Sequence, residues 1–236
     1  MSQADGEASI RALAQRYRLT AKAAGQLSLL ARRLADDPRA PTAVEGLAET
    51  IERHIADSLV ALELDEVRSA RVAADVGSGA GLPGLALAAA LPKLEMRLVE
   101  AQQSKCAYIG SAVAAMDLEQ ARVVWTRAEA WEEGTAAHDL VLVRALGPQP
   151  VVLEYAAPLL ALGGHLVEWR GRRDPAGERR AAAAADELGL RAVAVRATEP
   201  FAGARDRHLH VFEKVAATPA RFPRRPGVAA KRPLGS

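Results

Sequence analysis

Four glycines at 77, 79, 81 and 84, placed just after an acid at the end of a β-like run, limit this chain more than any other feature. The stretch reads Asp75-Val76-Gly77-Ser78-Gly79-Ala80-Gly81-Leu82-Pro83-Gly84; Arg71-Val72-Ala73-Ala74 precedes it and the apolar run Leu85 to Leu91 follows. Strand, glycine turn and helix together make a nucleotide cradle. Residues without Cβ let the backbone bend sharply and a ligand lie against it, and the start of the helix offers unpaired N–H groups.

Two ligand classes fit this stretch. Gly79-x-Gly81-x-x-Gly84, with Glu100 close to the spacing of a ribose-binding acid, matches the dinucleotide fingerprint. Asp75 also completes D-x-G-x-G-x-G, which resembles the first motif of class I S-adenosylmethionine methyltransferases. A carboxylate there suits an ammonium, or through water an amino-acid group, and repels a pyrophosphate, so the methyl donor is favoured over NAD. A purely structural glycine turn is the third reading.

Composition narrows the class. At 236 residues, half of them apolar, the chain suits one α/β domain with an extension. No stretch is long and uninterrupted enough to span a bilayer, and Met1 to Leu19 carries charges throughout, so a cytoplasmic protein without membrane contact is expected. The one cysteine, Cys106, reads as a small buried hydrophobe in a reducing compartment. From Ala217 to Ser236 there are five basic residues and no acid, against 26 basic and 29 acidic residues in the rest. That Pro/Arg-rich tail reads either as a phosphate-binding arm or as a solvated, disordered end.

Three regions follow: a helical extension over residues 1–66, a nucleotide-binding domain over 67–216 and the basic tail over 217–236. Ser9 to Leu19 and Thr20 to Ala35 have apolar residues at helical spacing, and a third helix is expected from Thr42 to Leu64. On it, His54 and Asp57 are three apart and share a face, with too few ligands nearby for a metal site, so no metal is expected. From residue 71, strands at Arg71–Ala74, Arg97–Glu100, Val123–Trp125, Asp139–Arg144 and His165–Trp169 alternate with helices, the βαβ signature. One of those helices is expected over Pro150 to Leu162, bending at Pro158 and ended by Gly163-Gly164. Arg191–Arg196 and His208–Val215 form a closing antiparallel hairpin. Seven strands with that ending suit a methyltransferase better than a dinucleotide enzyme, whose sheet usually finishes all-parallel.

Four segments together carry a family resemblance: Arg53-His54-Ile55-Ala56-Asp57-Ser58, the glycine loop through Gly84, Arg144-Ala145, and Phe222-Pro223-Arg224-Arg225-Pro226-Gly227. They resemble the bacterial ribosomal RNA small-subunit methyltransferase G family, also called glucose-inhibited division protein B. The resemblance implies a class I methyltransferase fold, a Rossmann-like seven-stranded sheet with an antiparallel last strand plus N-terminal helices. It also implies methyl transfer from S-adenosylmethionine to N7 of a guanine in 16S rRNA of the small ribosomal subunit. By similarity, Gly77 and Leu82 line the methionine end of the donor, with Asp75, Gly79 and Gly81 in the same loop. Glu100 faces the ribose, Ala128 and Glu129 flank the adenine, and Arg144 reaches the site from its strand end. This chain departs from the family at Ala80, at Arg170 in place of a lysine, and at Arg39-Ala40-Pro41-Thr42-Ala43, which replaces an Asn-Leu-Thr segment.

Guanine N7 has a free lone pair and no proton, so no general base and no catalytic residue are expected. The N7 edge lies in the deep, narrow groove of A-form RNA, so the target base must be looped out. With few aromatics available, the RNA-binding residues expected are His54, Asp57, Arg170, Arg172, Arg173, Phe201, Arg205, Arg207, Arg224 and Arg225, on a protein expected to be a monomer. Two other readings remain open: a methyltransferase of a small molecule, and a ribosome-assembly factor that keeps the fold without turnover.

Overall fold

A computed structural model describes residues 3–235, and among these a seven-stranded sheet runs in the order β3-β2-β1-β4-β5-β7-β6. Strands β1 (Val72–Val76), β2 (Glu95–Glu100), β3 (Ala121–Trp125), β4 (His138–Arg144) and β5 (Leu160–Arg170) are parallel. Strand β7 (His208–Lys214) runs antiparallel between β5 and β6 (Leu190–Ala197), the ending that the sequence predicts. The strand order reverses between β1 and β4. Loops at the carboxyl ends of those two strands diverge there and leave a crevice.

Alternating residues of each central strand feed two apolar layers. Ala73, Leu140 and Leu142 point to one face, Ala74, Val141 and Val143 to the other. On the first face lie α1 (Gln3–Tyr17) and α2 (Ala21–Asp36), capped by Thr20, whose hydroxyl accepts from the Ala23 N–H at 3.1 Å. Leu27, Leu30 and Leu34 of α2 are fully buried at helical spacing, each contributing roughly 1.5–3 kcal/mol. They join the same cluster as Leu85 and Leu98, so the N-terminal helices and the sheet share one core.

The third helix differs from expectation. It begins only at α3 (Leu47–Thr50), because Gly46 turns the chain at φ +76°, and it continues as a widened π segment (Ile51–Ala56), α4 (Asp57–Leu59) and a 3-10 turn (Val60–Glu63). A short helix, α5 (Asp65–Ser69), leads into β1. Helices α6 (Gly84–Ala90) and α7 (Gln103–Ala115) complete the first face, and α8 (Gln149–Ala156) and α9 (Pro175–Leu188) cover the second. Helix α8 does not bend at Pro158. It gives way to a 3-10 turn (Ala157–Leu159), and Gly163-Gly164 lie inside β5, where the pairing with β4 shifts register.

The basic tail folds back onto the body. Phe222 and Ala229 are buried in the α8–α9 layer, and residues Val228–Lys231 form α10. Cys106 is only partly buried; its thiol donates to the Glu100 carbonyl at 3.3 Å. Among the described residues no helix is long and apolar enough to cross a membrane.

Candidate active site

The crevice at the β1/β4 reversal holds a cavity of about 520 Å3, inside the roughly 300–1,000 Å3 range of cofactor sites. The loop after β1 lines it. Gly77 and Ser78 donate their N–H groups to the Val99 carbonyl at 2.9 and 3.1 Å, which turns the chain across the end of β2. Gly77 (φ +72°) and Gly79 (φ +57°) take left-handed conformations there, and a Cβ on Gly77 would stand 2.5 Å from Leu146 Cδ1.

Glu100 closes the end of β2 and is only 7% exposed. Its Oε2 accepts from the Gly79 N–H at 3.0 Å and its Oε1 from the Gln102 N–H at 2.8 Å. Each oxygen keeps a second lone pair for a ligand hydroxyl, so this acid fits a ribose diol. Farther along, Ala128 and Glu129 lie in a 3-10 turn (Ala128–Ala130), and Glu129 Oε1 is held by Arg127 Nη2 at 2.9 Å and the Gly227 N–H at 3.1 Å. The donor set therefore fits a nucleoside-bearing cofactor. Its far end opens toward Arg144.

Arg144, at the last position of β4, joins the cavity to a second one of about 450 Å3. Both are lined by His54, Arg144 and Ala145; of these two cavities, Asp57, Trp169, Arg170 and Arg207 line only the second. The Arg144 guanidinium donates to Asp57 Oδ2 at 3.0 Å, to the Arg53 carbonyl at 3.3 Å and to His54 Nδ1 at 3.3 Å. With Nδ1 accepting, the His54 proton sits on Nε2 and is donated to Thr42 Oγ1 at 2.6 Å. Burial, helped by the Arg144 charge, pushes the His54 pKa down to about 4, so the ring is neutral at physiological pH. Arg207 Nε stands 3.8 Å from Asp57 Oδ1 on the other side, buried without a hydrogen-bond acceptor.

Of the cofactor residues expected from the sequence, Gly77, Gly79, Leu82, Glu100, Ala128, Glu129 and Arg144 line the first cavity. Asp75 and Gly81 do not. Asp75 is 1% exposed and lies beneath the loop; its Oδ2 accepts from the Gly84 N–H at 2.9 Å while Oδ1 finds no partner. Of the two contacts weighed for it, the direct one to a ligand ammonium gives way to support of the loop from below, and burial pushes its pKa up to about 7. A Cβ on Gly81 would collide with Leu85, so that glycine serves loop packing.

The expected RNA residues divide. His54, Asp57, Arg170 and Arg207 line the second cavity, while Arg172, Arg173, Arg205 and Arg225 are exposed and Phe201 is partly buried. Arg173 pairs with Glu178 at 2.5 Å. Arg224 does not project outward: its guanidinium is bound to the buried Glu154. The sequence reading missed Lys105, Tyr155 and Ala230, which line the first cavity, and Pro41 and Thr42 do so from the departing Arg39–Ala43 segment. Only Ala230 had a signal, its place just past the Pro-Arg-Arg-Pro-Gly run.

Over residues 39–209 the sequence matches the model of a family described as rRNA small subunit methyltransferase G. A protein named Ribosomal RNA small subunit methyltransferase G from Syntrophomonas wolfei is 38% identical over 194 residues, covering 80% of this chain and 89% of that protein. Its namesake from Chloroflexus aggregans is 38% identical over 198 residues, covering 82% of each. Among solved structures, a SAM dependent methyltransferase from Aquifex aeolicus has the same fold, with a TM-score of 0.55 at 16% identity over 80% of this chain and 98% of that one.

Proposed function

The chain belongs to the rRNA small subunit methyltransferase G family, and on that premise we propose that it transfers a methyl group from S-adenosylmethionine to N7 of a guanine in 16S rRNA. The observation that carries this reading is the pair of cavities meeting at His54, Arg144 and Ala145. A cofactor seated in the first presents its reacting end to a base seated in the second. S-adenosylmethionine, when bound, supplies an electrophilic methyl group.

The chain's own residues position the partners. Glu100 accepts the ribose hydroxyls, the Ala128–Glu129 turn flanks the adenine, and Gly77 and Leu82 border the methionine end. Asp57 fixes Arg144 from the second cavity, so the guanidinium faces the junction, where it orients the cofactor carboxylate or guanine O6. Arg207 and Arg170 supply further donors toward the base. His54 has both ring nitrogens engaged and is neutral, so it holds Arg144 and takes no proton, as suits a nucleophile without one. Holding nitrogen and methyl carbon in line is worth roughly 7–11 kcal/mol in well-oriented model reactions. A substrate on the ribosome places this work in the cytoplasm.

The test is incubation with labelled S-adenosylmethionine and small subunits from cells lacking the modification, followed by borohydride and aniline treatment. A strand break at one guanine is expected. Label incorporated with no such break would rule out N7, and no incorporation by folded protein that binds S-adenosylhomocysteine would rule out the reaction.

A further inference from the structure

We propose that Glu154 is a positioning residue for cofactor binding: it clamps the C-terminal tail so that Ala230 forms part of the wall of the first cavity and Gly227 holds Glu129, which lines the same cavity. This rests on the cofactor occupying that cavity as described above.

Glu154 lies on α8, 1% exposed, and the Arg224 guanidinium meets it as a two-pronged fork, Nε to Oε1 at 2.8 Å and Nη2 to Oε2 at 2.5 Å. The Arg224 N–H adds a third bond to Oε1 at 3.2 Å. The same Nη2 donates to the Arg232 carbonyl at 2.8 Å, tying the two ends of the segment 224–232 together. Within it, Gly227 takes φ +82° and donates its N–H to Glu129 Oε1 at 3.1 Å, and Ala230 lines the cavity. Two carboxylates from different elements thus grip one short segment, and one of them, Glu129, is itself part of the cavity wall.

Anchoring the tail does not by itself call for a buried charge. Phe222 and Ala229 are already sunk into the α8–α9 layer, and apolar contact holds a chain end without desolvating a carboxylate. The bidentate fork adds direction: planar guanidinium on planar carboxylate fixes orientation as well as distance. Neighbouring Tyr155 turns the same stretch of α8 toward the cavity, so a change at Glu154 is felt at the wall from both sides. Arg224 therefore serves the cofactor, and the exposed tail cations Arg225, Lys231 and Arg232 are what the tail offers to RNA.

The test uses the full chain and calorimetric titration with S-adenosylhomocysteine. R224A and E154Q are expected to weaken binding at least fivefold and to raise the KM for S-adenosylmethionine while kcat at saturating cofactor stays near that of the parent. R224K, which keeps the charge and loses the fork, is expected to recover only part of the affinity. R221A removes an exposed tail cation paired with Glu187 away from the cavity and is expected to stay within twofold. A230W places bulk on the wall from an exposed position and decides the matter should the Glu154 or Arg224 variants fail to fold: weakened binding supports the wall, unchanged binding overturns it. Folded R224A and E154Q that bind S-adenosylhomocysteine within twofold of the parent, or that change only the KM for RNA, also overturn it. A parent chain that binds no S-adenosylhomocysteine would instead remove the cofactor reading.

Discussion

Arg144 Nη1 lies 3.0 Å from Asp57 Oδ2, joining the end of β4 to the helical segment after the π turn at the junction of the two cavities. The guanidinium also reaches the Arg53 carbonyl and His54 Nδ1, an arrangement of acceptors that a lysine ammonium cannot match. R144K is expected to fold with a loss of about 1 kcal/mol and to transfer methyl groups about 100-fold more slowly, because a displacement of an ångström costs that much in a reaction run by alignment. R144A leaves the buried Asp57 carboxylate with Arg207 alone, and a stability loss of about 3 kcal/mol is expected. Thermal unfolding and label transfer at saturating cofactor separate the two effects.

Gly79 is the loop position where a side chain finds room in the fold but not in the function. A Cβ there meets only the Gly77 carbonyl at 3.8 Å, in a residue that lines the first cavity. Left-handed backbone at φ +57° costs an alanine about 1–2 kcal/mol. G79A is therefore expected to unfold a few degrees lower and to bind S-adenosylhomocysteine at least tenfold more weakly by calorimetry. G81A, whose Cβ collides with Leu85 inside the core, is expected to lose stability first. Affinity unchanged in folded G79A would mean that the loop does not touch the cofactor.

How far the sequence could reach shows at these same residues. The alternation of apolar runs with helical ones is a local property, so the strands, the crossovers and the glycine turn were legible from Val72 to Arg144, whereas β5 starts at Leu160, inside the stretch that reads as helix, and runs through Gly163-Gly164. The approach of His54, Asp57 and Arg144 follows from how the N-terminal helices pack on the sheet, and spacing along the chain shows only that the first two share a face. The tail misled for a clear reason: its five cations read as solvent-facing, and only the fold reveals that Glu154 waits for one of them. Asp75 misled in the opposite sense, since a motif acid gives no sign of which side of its loop it will face.

Arg207 separates base recognition from cofactor binding. Its Nε is buried without an acceptor, 3.8 Å from Asp57 Oδ1, and it lines the second cavity and not the first. A donor that finds its acceptor on a nucleic-acid base is worth about 1–3 kcal/mol. R207A is expected to lower kcat/KM for RNA about 10- to 100-fold while S-adenosylhomocysteine affinity stays within about twofold. Because the contact is to a base and not to phosphate, the slope of log affinity against log salt is expected to stay the same. A flattened slope would move Arg207 to the phosphate backbone.

Asp75 makes folding stability depend on pH with a definite sign. Burial lifts its pKa from an ordinary 3.8 to about 7, so between those values the folded chain holds a proton that the unfolded chain has released. Its contribution is complete at low pH and is lost as pH rises toward 7, at about 1.4 kcal/mol per unit at most. Glu168, lifted to about 7 by burial, acts with the same sign. His54 and His210, both pushed down to about 4, act with the opposite sign, since below pH 6.5 only the unfolded chain takes up their protons. These slopes oppose one another between pH 4.5 and 6.5 and flatten the parent's profile. D75N removes one of the two acid terms and keeps an oxygen for the Gly84 N–H. Relative to the parent, D75N is therefore expected to gain stability from pH 5 to pH 8, by about 2 kcal/mol or more in urea unfolding. A difference between the two proteins that does not change across that range would mean that Asp75 keeps an ordinary pKa in the fold, and that its unpaired Oδ1 is satisfied by water from the cavity side.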